Sequence, residues 1–115
     1  MNSSTPVPNP RLTLLAPSSS GPGLAFEAID FQGANEQQLR GGVFSVDVGA
    51  VSNLDQHKQR ECWMIVSGEG ELCYDGTSQK VRAGDFLLFE SFKPHQIQNI
   101  GQVSLVIYSI WWMPE

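Results

Sequence analysis

Asp55, His57, Glu61 and His95 are the residues whose types and spacing suit chemistry in this sequence. Asp55 and His57 are separated by one residue, so an extended backbone projects both side chains to the same side. Glu61 follows four residues after His57, in the same or the next strand. His95, one of two histidines in the chain, opens another short strand directly after Pro94. Imidazole nitrogen and carboxylate oxygen together suit borderline divalent cations. Two histidines with one carboxylate make the facial set that leaves positions open on iron(II), manganese, nickel or zinc. The same groups can instead satisfy one another by hydrogen bonds, as paired polar residues commonly do.

The elements that must position these groups read as strands. From Leu24 onward, short apolar stretches are punctuated by Gly, Asn and Asp, without sustained recurrence at three and four residues. Val43–Val51, Glu61–Val66, Glu71–Tyr74, Gln79–Val81, Asp85–Phe89, His95–Asn99 and Val103–Trp112 are expected strands, spaced as an antiparallel sandwich or barrel requires. Only Asn35–Leu39 reads as a helical turn. Hairpins are expected at Gly68-Glu69-Gly70 and at Asp75-Gly76, where glycine supplies positive-φ freedom. Within Glu61–Val66, period-two alternation puts Glu61, Trp63 and Ile65 on one face and Cys62, Met64 and Val66 on the other. A carboxylate sharing a buried face with a tryptophan and an isoleucine needs a cation, hydrogen bonds or a metal.

Length and composition bound the rest. The chain has 115 residues, 41% hydrophobic and 17% charged, which suits one globular domain. Twelve acidic against seven basic residues give a formal charge of -5, which disfavours a phosphate-backbone partner, so nucleic acid is not expected. No apolar segment reaches the roughly 20 residues of a membrane span, and a soluble, cytoplasmic protein without a membrane partner is expected. Two cysteines, Cys62 and Cys73, are too few for a disulfide scaffold. Five of the seven prolines lie within the first 22 residues. Residues 1–22 therefore read as a Pro/Ser-rich arm, partly disordered or with Leu12, Leu14 and Leu15 packing on a neighbouring subunit, ahead of a domain at 23–115.

Gly49, Asp55-Gln56-His57, Glu61 and Gly68 resemble at every interval the first motif of the cupin superfamily, in which a glycine precedes a His-x-His pair, a glutamate and a closing glycine. Asp55 stands where the family usually has its first histidine. The second family motif is resembled by Gly84-Asp85, His95 and Asn99, with Glu90 and Phe92 replacing the usual proline and glycine. The resemblance covers about residues 43–110 and is that of a small, single-domain bacterial cupin. It implies an all-β jelly-roll or conical barrel of six to eight strands with a metal held inside one end.

Residue by residue, it assigns His57, Glu61 and His95 as ligands of one divalent ion: iron(II), manganese, zinc or nickel. Asp55 is expected either as a fourth ligand or as a group that moves a proton, and Glu90 as a second proton carrier. The function expected is a metal-dependent enzyme acting on a small metabolite by oxygenase, isomerase, lyase or cyclase chemistry. The alternative is a non-catalytic metal- or ligand-binding module, or an accessory cupin of a biosynthetic pathway. Trp63, Phe86, Phe89, Tyr108, Trp111 and Trp112 read as core or interface packing. Adjacent Trp111 and Trp112 face opposite ways, and the outward one is expected to cover a homodimer interface.

Overall fold

The computed structural model describes residues 10–33 and 38–115. Among the described residues, alternating side chains and glycine-bearing turns produce nine strands and no helix. They are β1 (Thr13–Leu14), β2 (Leu24–Asp30), β3 (Leu39–Val46), β4 (Arg60–Ser67), β5 (Glu69–Tyr74), β6 (Thr77–Arg82), β7 (Phe86–Phe89), β8 (His95–Asn99) and β9 (Leu105–Trp112). A six-stranded sheet in the order β1-β2-β3-β9-β4-β7 packs on a three-stranded sheet in the order β6-β5-β8. All pairings are antiparallel. This is the all-β jelly roll expected. The core takes Leu24, Val46, Trp63, Ile65, Phe89, Leu105 and Ile107 from the larger sheet and Leu72, Val81 and Ile97 from the smaller. No helix among the described residues is long and apolar enough to cross a membrane.

β4 shows the expected alternation, with Glu61, Trp63 and Ile65 buried and Cys62, Met64 and Val66 on the opposite side. The Asp75-Gly76 hairpin also forms, joining Tyr74 to Thr77 across two left-handed residues. Gly68 does not centre a hairpin. It has φ +88, and β4 and β5 enter different sheets, so the glycine turns the chain across the sandwich instead of back on itself. A Cβ there would meet the Leu105 backbone at 3.0 Å. Cys62 and Cys73 consequently lie in separate sheets, and both are free.

Other differences are at element ends. The strand expected over 43–51 runs from Leu39 to Val46. It stops because Ala50 N–H closes a turn onto Asp47, with Gly49 at φ +79. Val51 forms only an isolated bridge to Gln98. Of the expected helical turn at Asn35–Leu39, residues 35–37 lie outside the described residues and Leu39 opens β3. In the arm, Thr13 and Leu14 pair with Asp30 and Ile29 of the chain's own β2. Of the residues expected in core or interface packing, Phe86 and Tyr108 lie outside the core, on the outer face of the larger sheet, 71% and 46% exposed. Their positions on β7 and β9 alternate with the buried Phe89 and with Ile107 and Ser109.

Candidate metal centre

Three segments converge at one end of the sandwich. β4 supplies Glu61 on its inward face, the loop before it supplies His57, and β8 opens with His95. The His57 segment is held in place through backbone contacts. Asp55 forms an isolated bridge with His95, N–H to O at 3.0 and 2.9 Å in the two directions, and Phe92 N–H donates to the His57 carbonyl at 2.7 Å. Phe92 takes φ +62, the left-handed region, where the resemblance expects glycine. A bulky residue accepts this strained backbone to keep the hydrogen bond that clamps His57.

His57 Nε2 and His95 Nε2 each stand 3.1 Å from the same oxygen, Glu61 Oε1. The two rings are T-shaped, 5.2 Å between centroids. Each Nδ1 faces a backbone carbonyl two residues away, Gln59 at 3.0 Å for His57 and Lys93 at 3.1 Å for His95. A carbonyl only accepts, so Nδ1 carries the proton in both rings, and in the neutral tautomer Nε2 presents its lone pair to the centre. Phe89 stacks on the His95 ring at 4.3 Å and fixes its plane.

The second oxygen of Glu61 is held separately. Trp63 Nε1–H donates to Oε2 at 2.8 Å and Ser109 Oγ–H at 2.5 Å. One carboxylate oxygen is therefore anchored to the scaffold while the other faces both imidazoles. Burial pushes the Glu61 carboxyl upward. The hydrogen bonds from His95, Ser109 and Trp63, with the charge of His95, outweigh it and leave the group below its ordinary value. For His95, burial acts downward, but the hydrogen bond to Glu61, the Lys93 carbonyl and the Glu61 and Asp55 charges raise it above its ordinary value.

The donor set fits a divalent ion. A carboxylate oxygen has no proton to give, so each 3.1 Å contact is a hydrogen bond only when a proton sits on Nε2. Those protons occupy the place a cation takes when both rings are neutral. Donors at about 2.1 Å from an ion and about 90° apart stand about 3 Å from one another, close to the observed spacing. All three ligand atoms lie within 4.8 Å of each other.

Of the residues expected at the site, His57, Glu61 and His95 are brought together. Asp55 lines the mouth of the same cavity with an exposed side chain, and its carboxylate is outside the three-residue cluster. Glu90 is not at the centre. It forms a two-pronged pair with Arg60, 2.9 Å for each contact, on the exposed surface. Arg60 and Glu61, adjacent on β4, face opposite ways because the strand period is two.

A cavity of about 470 Å³ opens over His57 and Glu61, with His95 buried outside its lining. Phe26, Phe44, Trp63 and Trp111 form its apolar wall, and Ser18–Ser20 of the arm cross its rim. The sequence reading did not single out Ser109, Phe26 or Phe44. A signal was available for Ser109, a lone hydroxyl on the apolar face of Leu105, Ile107 and Trp111, alternating toward Glu61. Trp112, on the other face, lies under the Arg60 guanidinium at 5.9 Å.

Comparison with known proteins gives a family and a fold. The Cupin domain family matches residues 42–111, more than half of the chain. An uncharacterised protein of Methanocaldococcus jannaschii is 33% identical over 70 residues, which cover 60% of this chain and 56% of that protein. The chain thus spans little over half the length of this relative. Among solved structures, an RmlC-like cupin from Shewanella frigidimarina superposes with TM-score 0.74 at 18% identity, covering 87% of this chain and 85% of that one. A predicted oxalate decarboxylase from Thermotoga maritima does so with TM-score 0.73 at 20% identity, covering 96% and 100%.

Proposed function

The chain belongs to the cupin domain family, and from that premise we propose that it binds one divalent metal ion through His57, Glu61 and His95 and uses it on a small molecule held in the adjoining cavity. One observation carries this reading: a single buried carboxylate oxygen approached at 3.1 Å by two imidazole nitrogens whose other nitrogens are tied to backbone carbonyls. When bound, iron(II), manganese, zinc or nickel would supply Lewis-acid polarisation of a substrate oxygen or, for iron, redox chemistry. Around it, Trp63 and Ser109 hold Glu61, the aromatic wall excludes water from one side, and Asp55 stands at the mouth as the group able to move a proton. Glu90 is excluded from that role in the proposal because Arg60 holds both of its oxygens away from the cavity.

Elemental analysis and zinc titration test the reading. The wild-type protein is expected to take up one equivalent, and the His57→Ala/His95→Ala double variant none. Equal loading of both proteins overturns the ligand set. Turnover of oxalate, which the name of the Thermotoga maritima structure invokes, has no lysine or arginine in its favour among the described lining residues.

We further propose a homodimer through the outer face of the larger sheet. Phe86, Leu88, Tyr108 and Ile110 are 71%, 48%, 46% and 40% exposed there, on three adjacent strands together with Met64. Light scattering at micromolar concentration is expected to give twice the chain mass, and a monomer overturns the proposal.

A further inference from the structure

We infer that Glu90, Arg60 and Tyr74 are positioning residues for both histidines of the candidate centre, acting through residues 90–94, the loop between β7 and β8; as a determinant of metal affinity, this rests on the reading proposed above. The loop reaches each imidazole by a different route. Phe92 N–H donates to the His57 carbonyl at 2.7 Å, and the Lys93 carbonyl accepts from His95 Nδ1–H at 3.1 Å. One short segment thus sets the backbone of one histidine and the ring of the other.

The loop is strained, so its shape needs outside support. Phe92 takes φ +62. Glu90 and Phe92 stand where the resembled motif carries proline and glycine, residues that would stiffen such a turn and relieve it. Relaxing φ at Phe92 changes the direction of its N–H relative to the Lys93 carbonyl, and so loosens both histidines together. Ties at Glu90 oppose this. Tyr74 Oη accepts from Glu90 N–H at 3.0 Å, and the Tyr74 ring packs on Phe89 at 5.3 Å. Arg60 donates to both Glu90 carboxylate oxygens at 2.9 Å, and its guanidinium rests over Trp112 at 5.9 Å. Arg60 directly precedes Glu61 on β4, so the pair fastens the loop to the strand that carries the carboxylate. An exposed ion pair alone contributes little, but a two-pronged one on a strained loop keeps that loop ordered before an ion arrives.

The test uses the whole protein, first metal-free and then titrated with zinc. His95 and Trp63 are buried, and their Nδ1–H and Nε1–H are bonded, so both protons are expected as slowly exchanging NMR signals in the wild type. In Glu90→Ala the His95 signal is expected to be lost to exchange while the Trp63 signal persists. Loss of both means unfolding, and Tyr74→Phe, which keeps the ring on Phe89, then carries the same reading. Glu90→Ala and Arg60→Met are each expected to bind zinc about fivefold more weakly than wild type, the scale of an exposed ion pair, and the double variant no more weakly than either. Single effects that multiply to about 25-fold in the double variant overturn the inference. So does a zinc affinity equal to wild type in every variant, or a His95 signal unchanged in both Glu90→Ala and Tyr74→Phe. Failure of the wild type to take up zinc overturns the metal reading alone, because the His95 signal in metal-free protein still decides whether these residues position the ring.

Discussion

The two faces of β4 and β9 are made of neighbouring residues in the same chain, yet they do opposite work. Inward, Glu61, Trp63, Ser109 and Ile107 are buried, and every polar atom named among them has a partner. Outward, Cys62, Met64, Tyr108 and Ile110 line a mostly apolar surface, with Tyr108 and Ile110 exposed. The difference teaches that a side-chain period of two lets one strand hold a charge in the core and a sticky patch outside. A single-residue slip would exchange them. Energetically, the inner face depends on hydrogen bonds that cannot be lost singly, while the outer face tolerates change until something docks on it.

The sharpest way to break this contrast is Glu61→Ala. It strips partners from both histidines, Trp63 and Ser109, and is expected to abolish metal uptake and to lower stability by about 3–5 kcal/mol, read by urea unfolding. Ser109→Ala removes one anchor of the carboxylate. A metal affinity lower by about 10–100-fold, with stability lower by about 1–2 kcal/mol, is expected from zinc titration and unfolding. On the other face, Tyr108→Glu together with Ile110→Glu is expected to change stability of the isolated chain by no more than about 1 kcal/mol while halving the mass seen by light scattering. A metal affinity that falls with this outer pair, or a mass that falls with Ser109→Ala, would show the faces to be coupled.

A smaller effect is expected from pH in metal-free protein. His95, raised from an ordinary value of 6.5, contributes stability that is complete below that value and lost as pH climbs through its higher folded value. Glu61, lowered from 4.5, contributes stability present above that value and lost as pH falls through its lower folded value. The pair therefore supports the fold most between about 4.5 and 6.5, and unfolding across pH checks the maximum. Metal uptake runs the other way on the alkaline side, strengthening and releasing a proton as His95 is neutralised. Smallest of all, Phe92→Gly is expected to gain about 0.5–1 kcal/mol by relieving the left-handed backbone, measured by unfolding.

Much of the fold was legible because it is local. Alternation over 61–66, the Asp75-Gly76 turn and Pro94 before His95 each act over a few residues, and the structure reproduces them. The turn at Gly68 was misread because a positive-φ glycine reverses a chain in one context and carries it to another sheet in the next. The candidate ligands were legible from residue type and interval, with the cupin resemblance adding the pairing of two distant motifs. Ser109 as anchor and Phe26 as wall were not, because their meaning depends on strands 48 residues apart for Ser109–Glu61 and on the bare face of Gly42.

By itself the sequence determined the alternation of faces over Glu61–Val66, which side chains are able to ligate a metal, and that the chain would be built of sheets, since these follow from backbone period and side-chain type. Only the tertiary structure decided that two imidazoles meet on one oxygen of Glu61, that Glu90 leaves with Arg60, and that the cavity's described lining holds no lysine or arginine. The physical reason is that such outcomes are set by the registers between strands distant in the chain, and a register is chosen by the whole packed core at once.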